Sequence, residues 1–162
     1  MSDLQDVRGG NITLANAALT GLSGAAKTIS YTGNPAFALG GKLLTGDTCS
    51  GGSLATTDIA TSEAFLPLAN GEACLFVFGW NAAGEWKVAQ GPIVDYADLV
   101  NGAAALDFPV IPDTIVPFAY VPIRNADATD FLFATSNWDT TPTIGTVVNV
   151  ALLPTQPITS FA

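Results

Sequence analysis

The sequence predicts an all-β fold, a single-domain sandwich or barrel of about eight short strands with one minor helix. Three observations predict it. The apolar runs are short, several alternate with period two, and Gly, Pro, Asn and Asp punctuate them at turn positions. A chain of 162 residues can bury one substantial core and is too short for two well-developed ones.

Residues 1–12 carry Asp3, Asp6 and Arg8 and run through Gly9-Gly10, the pattern of an N-terminal arm ahead of a β-rich domain spanning 13–162. Ile12 to Leu22 fits neither period well and reads as irregular or as a short strand. From Ala26 to Thr32, Ile29 and Tyr31 alternate with Thr28, Ser30 and Thr32, a half-buried strand that Gly33-Asn34-Pro35 ends. Phe37 to Leu44 reads as two strand pieces joined at Gly40-Gly41, where a missing Cβ suits a tight turn or bulge. Residues 45–63, rich in Thr, Ser and Gly, form the longest expected loop.

Ala73 to Trp80 is a continuous apolar run, expected to be buried on both faces, and Asn81 to Gly84 turns it into Glu85 to Gln90, with Trp86 and Val88 on one face. Asp95 is the expected N-cap of a short helix ending at Asn101-Gly102. Pro109 and Pro112 mark an extended lead-in to a strand over Ile115 to Arg124, in which Pro117 and Pro122 argue for an edge position. Asn125 to Ala128 turns the chain into a return strand through Phe131 and Phe133. After a turn at Asp139 to Pro142, a last strand is expected over Thr146 to Leu153.

Composition narrows function. Charged residues make up 12% of the chain, half of the roughly 25% usual in soluble domains, while 25 Ala, 18 Thr and 16 Gly fill over a third of it. Such a surface is cheap to desolvate against a neighbour, which favours an assembly subunit over a monomer. Five Lys and Arg against fourteen Asp and Glu give a net charge of −9, and no basic run exists. Nucleic acid and anionic membrane surfaces are therefore not expected partners. The first ten residues lack the order of a signal peptide, and no stretch approaches the roughly 20 apolar residues of a membrane helix, so the expectation is synthesis in a cytoplasm. Both the free-thiol and the disulfide state of Cys49 and Cys74 fit the sequence, a reducing compartment favouring the first.

Catalytic chemistry finds little to work with. There is no histidine, which removes the commonest general base, the usual partner of Ser or Cys nucleophiles and the usual transition-metal ligand. Gly40-Gly41-Lys42-Leu43 lacks the upstream Gly and the following hydroxyl of a phosphate-binding loop. The carboxylate pairs Asp95 with Asp98, Asp107 with Asp113 and Asp127 with Asp130 fall at caps and turns, where Asp bonds the local backbone. Asn125 to Asp130 begins like a calcium loop, but Asp130 replaces the Gly and Ser136 the closing Glu, so an Asx-type turn is expected. No catalytic, cofactor or metal residue is assigned. Trp80, Trp86, Trp138, Tyr31, Tyr96 and Tyr120 read mainly as core; Trp138, between Asn137 and Asp139 at a turn, is the best candidate for an exposed partner contact, and those three residues are the expected contact site.

Phe108-Pro109-Val110-Ile111-Pro112, Val116 to Val121, Phe131 to Asp139 and Leu152 to Pro157, preceded by Ile29-Ser30-Tyr31, Gly40 to Leu43 and the Phe76 to Gly91 hairpin, follow one another in an order that resembles small tailed-bacteriophage virion proteins of the capsid decoration (cement) type. The likeness is one of pattern, covers most of residues 29–157, and has no counterpart for the N-terminal arm or the 45–63 loop. It implies a non-enzymatic β-rich subunit, a homotrimer, bound in many copies to the outside of the capsid and reinforcing the major capsid protein. A tail-associated adhesin or carbohydrate-binding module working through Trp138 is the alternative.

Overall fold

A computed structural model of the chain describes residues 10–23, 27–139, 142–158 and 161. The fold is all-β, with eleven strands and one helix among these residues. The strands are β1 Ile12–Thr13, β2 Thr28–Tyr31, β3 Ala36–Leu39, β4 Lys42–Thr45, β5 Cys49–Ser53, β6 Glu72–Trp80, β7 Trp86–Gln90, β8 Val94–Asp95, β9 Val116–Asn125, β10 Pro142–Ile144 and β11 Val148–Asn149; helix α1 is Tyr96–Asn101. A six-stranded antiparallel sheet runs β10-β9-β6-β7, with β8 on β6 and β11 on β9; β1-β3-β4 and β2-β5 form two smaller sheets.

The central pair β6–β9 is buried on both faces, as the unbroken apolar run of β6 requires. Cys74, Phe76, Phe78 and Trp80 point to the main core, where Ile29, Tyr31 and Phe37 of the smaller sheets meet them. Leu75 and Val77 point the other way and, with Tyr120, pack under Phe108, Ile111 and Leu153. The result is sandwich-like: smaller sheets cover one face, and the Phe108 lead-in and the C-terminal segment cover the other.

The prolines do not place β9 at an edge. It lies between β6 and the β10/β11 pair, and each proline sits where its missing N–H costs no ladder bond. Pro117 stands opposite Gly79 at a register shift between Phe78 and Gly79. The β10 ladder stops at Ile144↔Ile123, one residue short of Pro122, whose carbonyl still accepts from the Gly145 N–H at 2.8 Å. A Cβ on Gly79 would lie 2.9 Å from the Val116 carbonyl oxygen, so the close approach at this bulge needs glycine.

Other expectations divide. The Gly40-Gly41 turn, the β6–β7 hairpin and the helix stand where expected: Asp95 Oδ1 accepts from Ala97 N at 2.7 Å and Gly102 closes the helix at φ 73°. The 45–63 loop contains β5, paired to β2, because its small residues fit a strand packed closely against Trp86. The return strand through Phe131 and Phe133 does not form; Phe131 makes one bridge to Leu68, and a turn follows that presses both rings into the core. Only Val148–Asn149 of the last expected strand pairs. Residues 1–9 of the expected arm lie outside the described residues, as do Thr140 and Thr141 of the turn before β10. Ile12 of that arm joins β1, and Asn11 bonds to Gly40 and Asp113.

Candidate interaction surface

Trp138 is not exposed. The residue is 3% accessible; its ring packs on Phe131 and edge-on to Phe133, while its Nε1–H donates to the Thr28 carbonyl at 3.1 Å. The indole ties the 131–139 turn to β2, because a large apolar ring beside two buried phenylalanines gains more from the core than from solvent. Asn137 is half-buried and Asp139 exposed. Nor do the other aromatic residues assemble an open platform. Trp80, Tyr31 and Tyr120 are buried, Trp86 is half-buried, and Tyr96 lies under the Arg124 guanidinium at 3.8 Å.

Of the carboxylate pairs, Asp95 and Asp127 bond the local backbone, Asp127 Oδ1 accepting from Thr129 N at 3.4 Å. Asp95 caps α1. Asn125, fully buried, donates through Nδ2 to the Leu68 and Thr129 carbonyls at 2.8 and 2.9 Å and accepts from Asp127 N at 3.0 Å, so Asn125 to Asp130 is an Asx turn. No group of three or more potential metal ligands occurs among the described residues. Both cysteines are buried free thiols. Burial pushes the Cys74 thiol up to about 12, partly offset by the Gln90 amide, and likewise raises Cys49. Neither has the lowered pKa of a nucleophile.

What remains is a groove of about 650 Å3 between the 58–66 loop, the end of β7 and the Phe108 to Val110 lead-in. Its walls are mostly apolar: Leu66, Pro92, Ile93, Phe108 and Val110, with Glu63 also lining it. Leu66 is 63% exposed and Val110 86%. The surroundings are hydrogen-bonded together. Asp58, 4% exposed, accepts from Ala60 N at 2.9 Å, Thr61 Oγ1 at 3.2 Å and Gln90 N at 3.3 Å, while Ile59 N donates to the Val88 carbonyl. The 58–59 segment thus blunts the outer edge of β7 against strand pairing.

Gln90 completes the frame. Its Oε1 accepts from Leu66 N at 2.8 Å and its Nε2 donates to the Leu66 carbonyl at 2.9 Å, so one side-chain amide satisfies both backbone groups of Leu66 and turns its side chain outward. Phe108 is fixed edge-on to Tyr120 at 5.1 Å and 86°. A preformed apolar surface of this kind can bury a partner at little ordering cost.

The sequence reading missed this groove, because Asp58, Leu66, Gln90 and Val110 are scattered over three segments. The visible signal was Val110, an apolar residue between two prolines where no strand could bury it. Comparison with protein-family models, curated proteins and solved structures finds no match for this chain.

Proposed function

We propose that the chain is a non-enzymatic tailed-phage virion protein that binds the outer capsid surface as an oligomer, a homotrimer by the resemblance, and reinforces contacts of the major capsid protein. The apolar groove, with Leu66 framed outward by Gln90 and Val110 exposed on its other wall, is the observation that carries this reading: it suits a standing interface with another folded protein. The sparse charge, the acidic balance and the lack of histidine support it. Burial of Trp138 takes away the exposed ring on which the adhesin alternative rested.

The test is saturable binding of the purified protein to expanded capsids that lack decoration. Binding to a fixed number of sites, with a gain in capsid resistance to heat, supports the reading. Absence of binding at any concentration, with or without glycan-dependent attachment to cells, overturns it.

A further inference from the structure

The chain holds two Asn-Gly pairs, Asn70-Gly71 and Asn101-Gly102, and the fold treats them differently. In such a pair the glycine main-chain nitrogen can reach the asparagine side-chain carbonyl carbon, because no Cβ stands in its way. Both asparagines are exposed. What differs is the hold on the glycine.

Gly71 is clamped. Its N–H donates to the carbonyl of the fully buried Asn125 at 2.9 Å, and its own carbonyl accepts from Tyr96 N at 2.7 Å. Glu72 closes the turn around it: its N–H donates to the Ala69 carbonyl at 3.1 Å and its Oε2 accepts from Ala69 N at 2.7 Å. Bringing the Gly71 nitrogen onto Asn70 therefore breaks bonds at the head of β6, the central strand.

Gly102 is held loosely. It ends α1 at φ 73°, its N–H lies 3.3 Å from the Leu99 carbonyl, long for such a bond, and a Cβ there would meet nothing within 4 Å. The other bonds that close this turn run from Ala103 N and Ala104 N to the Asp98 carbonyl, at 2.9 and 3.1 Å. No residue of α1 is buried, so opening its last turn uncovers no core.

We propose that Asn101 is a site of spontaneous modification, its side-chain amide being lost through attack by Gly102, and that the fold protects Asn70 from the same reaction. The Gly102 nitrogen gives up its proton to base and attacks the Asn101 side-chain carbonyl carbon. A new N–C bond forms, the bond to the side-chain nitrogen breaks, and that nitrogen takes up a proton and leaves as ammonia. Water then adds to either carbonyl of the cyclic imide and opens it to isoaspartate or aspartate. Nothing is oxidised or reduced.

The product places a carboxylate at the C-terminal end of α1, where the helix dipole disfavours an anion and no basic residue sits in the last turn. The isoaspartate form also lengthens the main chain just ahead of the bonds that Ala103 and Ala104 make to Asp98. Each event thus adds negative charge to a chain already at −9 and loosens the end of α1. This holds whether or not the chain binds a capsid.

The experiment is peptide mapping by mass spectrometry of the purified protein held at mildly alkaline pH, folded and in denaturant, with fragmentation that separates isoaspartate from aspartate. In denaturant both asparagines are expected to react at similar rates. In the folded protein Asn101 is expected to stay within a few-fold of that rate, while Asn70 falls by about tenfold or more, because two hydrogen bonds hold its glycine. Gly102→Ala, checked for folding by circular dichroism, is expected to slow Asn101 and leave Asn70 unchanged. Asn101→Asp, which carries the charge of the product, is expected to speed hydrogen exchange at Ala103 and Ala104.

Equal protection of the two sites, faster reaction at Asn70, or a Gly102→Ala variant that reacts at Asn101 as the wild type does overturns the proposal. Unchanged exchange at Ala103 and Ala104 in Asn101→Asp overturns the loosening of α1.

Discussion

The indole of Trp80 lies flat on the ring of Phe118, centroids 4.0 Å apart and planes 17° from parallel, across the β6–β9 ladder. Phe37 stacks on the opposite side at 5.4 Å, and the Trp80 Nε1–H reaches the Tyr31 hydroxyl at 3.4 Å. One side chain thereby joins the central sheet to both smaller sheets. Trp80→Ala is expected to cost about 3–5 kcal/mol, read as a lower denaturant midpoint. A midpoint within error of wild type would show that the three sheets are not coupled through this ring.

Gly46 faces the same indole, and a Cβ there would stand 2.9 Å from Trp80 Nε1. The ring cannot retreat, being stacked on both faces. Gly46→Ala is expected to destabilise by about 1–3 kcal/mol, as overpacking does, and to change tryptophan fluorescence. Alanine at exposed Gly10, whose Cβ would meet nothing within 4 Å, is expected to do neither.

Gln90→Leu removes both bonds to the Leu66 backbone while keeping the side chain's bulk. The expected cost is about 1–3 kcal/mol for stranded polar groups, with faster hydrogen exchange at Leu66 and weaker capsid binding. Gln90→Glu keeps the acceptor but sets a carboxylate oxygen against the Leu66 carbonyl, so it too is expected to lose stability. Unchanged exchange at Leu66 in the leucine variant would refute the framing role.

Cys74 links stability to alkaline pH. Its folded-state pKa, raised by burial to about 12, lies above the ordinary thiol value of 9.0. Between those values the unfolded chain has lost the thiol proton and the folded chain retains it, so stability is fully present below pH 9 and falls as pH rises toward 12. The raised values of Cys49 and Tyr31, both caused first by burial, act in the same direction. Cys74→Ala is expected to flatten the loss of stability over this range in denaturant titrations. An equally steep loss in that variant would contradict it.

Trp138→Phe keeps an apolar ring against Phe131 and Phe133 and deletes the bond to the Thr28 carbonyl. A loss of about 1 kcal/mol is expected, without effect on sugar or capsid binding. Loss of capsid binding in a variant that is still folded would return Trp138 to the contact surface.

The strands that form wherever an apolar run meets local turn chemistry were legible in advance. β6 and β7 follow from one continuous and one alternating run around Asn81 to Gly84, the β3–β4 hairpin from Gly40-Gly41, and α1 from Asp95 and Gly102. Residues whose role depends on a distant partner were not. Phe131, Phe133 and Trp138 have a strand-and-turn pattern but are drawn into the core by one another. Pro122 argues for an edge until β10 is seen to stop just short of it.

The candidate surface is the extreme case, since Asp58, Leu66, Gln90 and Val110 come together only through hydrogen bonds spanning 24 to 32 residues and through packing of the Phe108 lead-in on Tyr120. From sequence alone came the all-β class, the low-charge composition and the lack of histidine, because composition and periodicity are local quantities. The tertiary structure decided that β9 is interior, that Trp138 is core and that an apolar groove stays open. Those outcomes depend on which non-local surfaces compete successfully for burial, and no window of the chain carries that comparison.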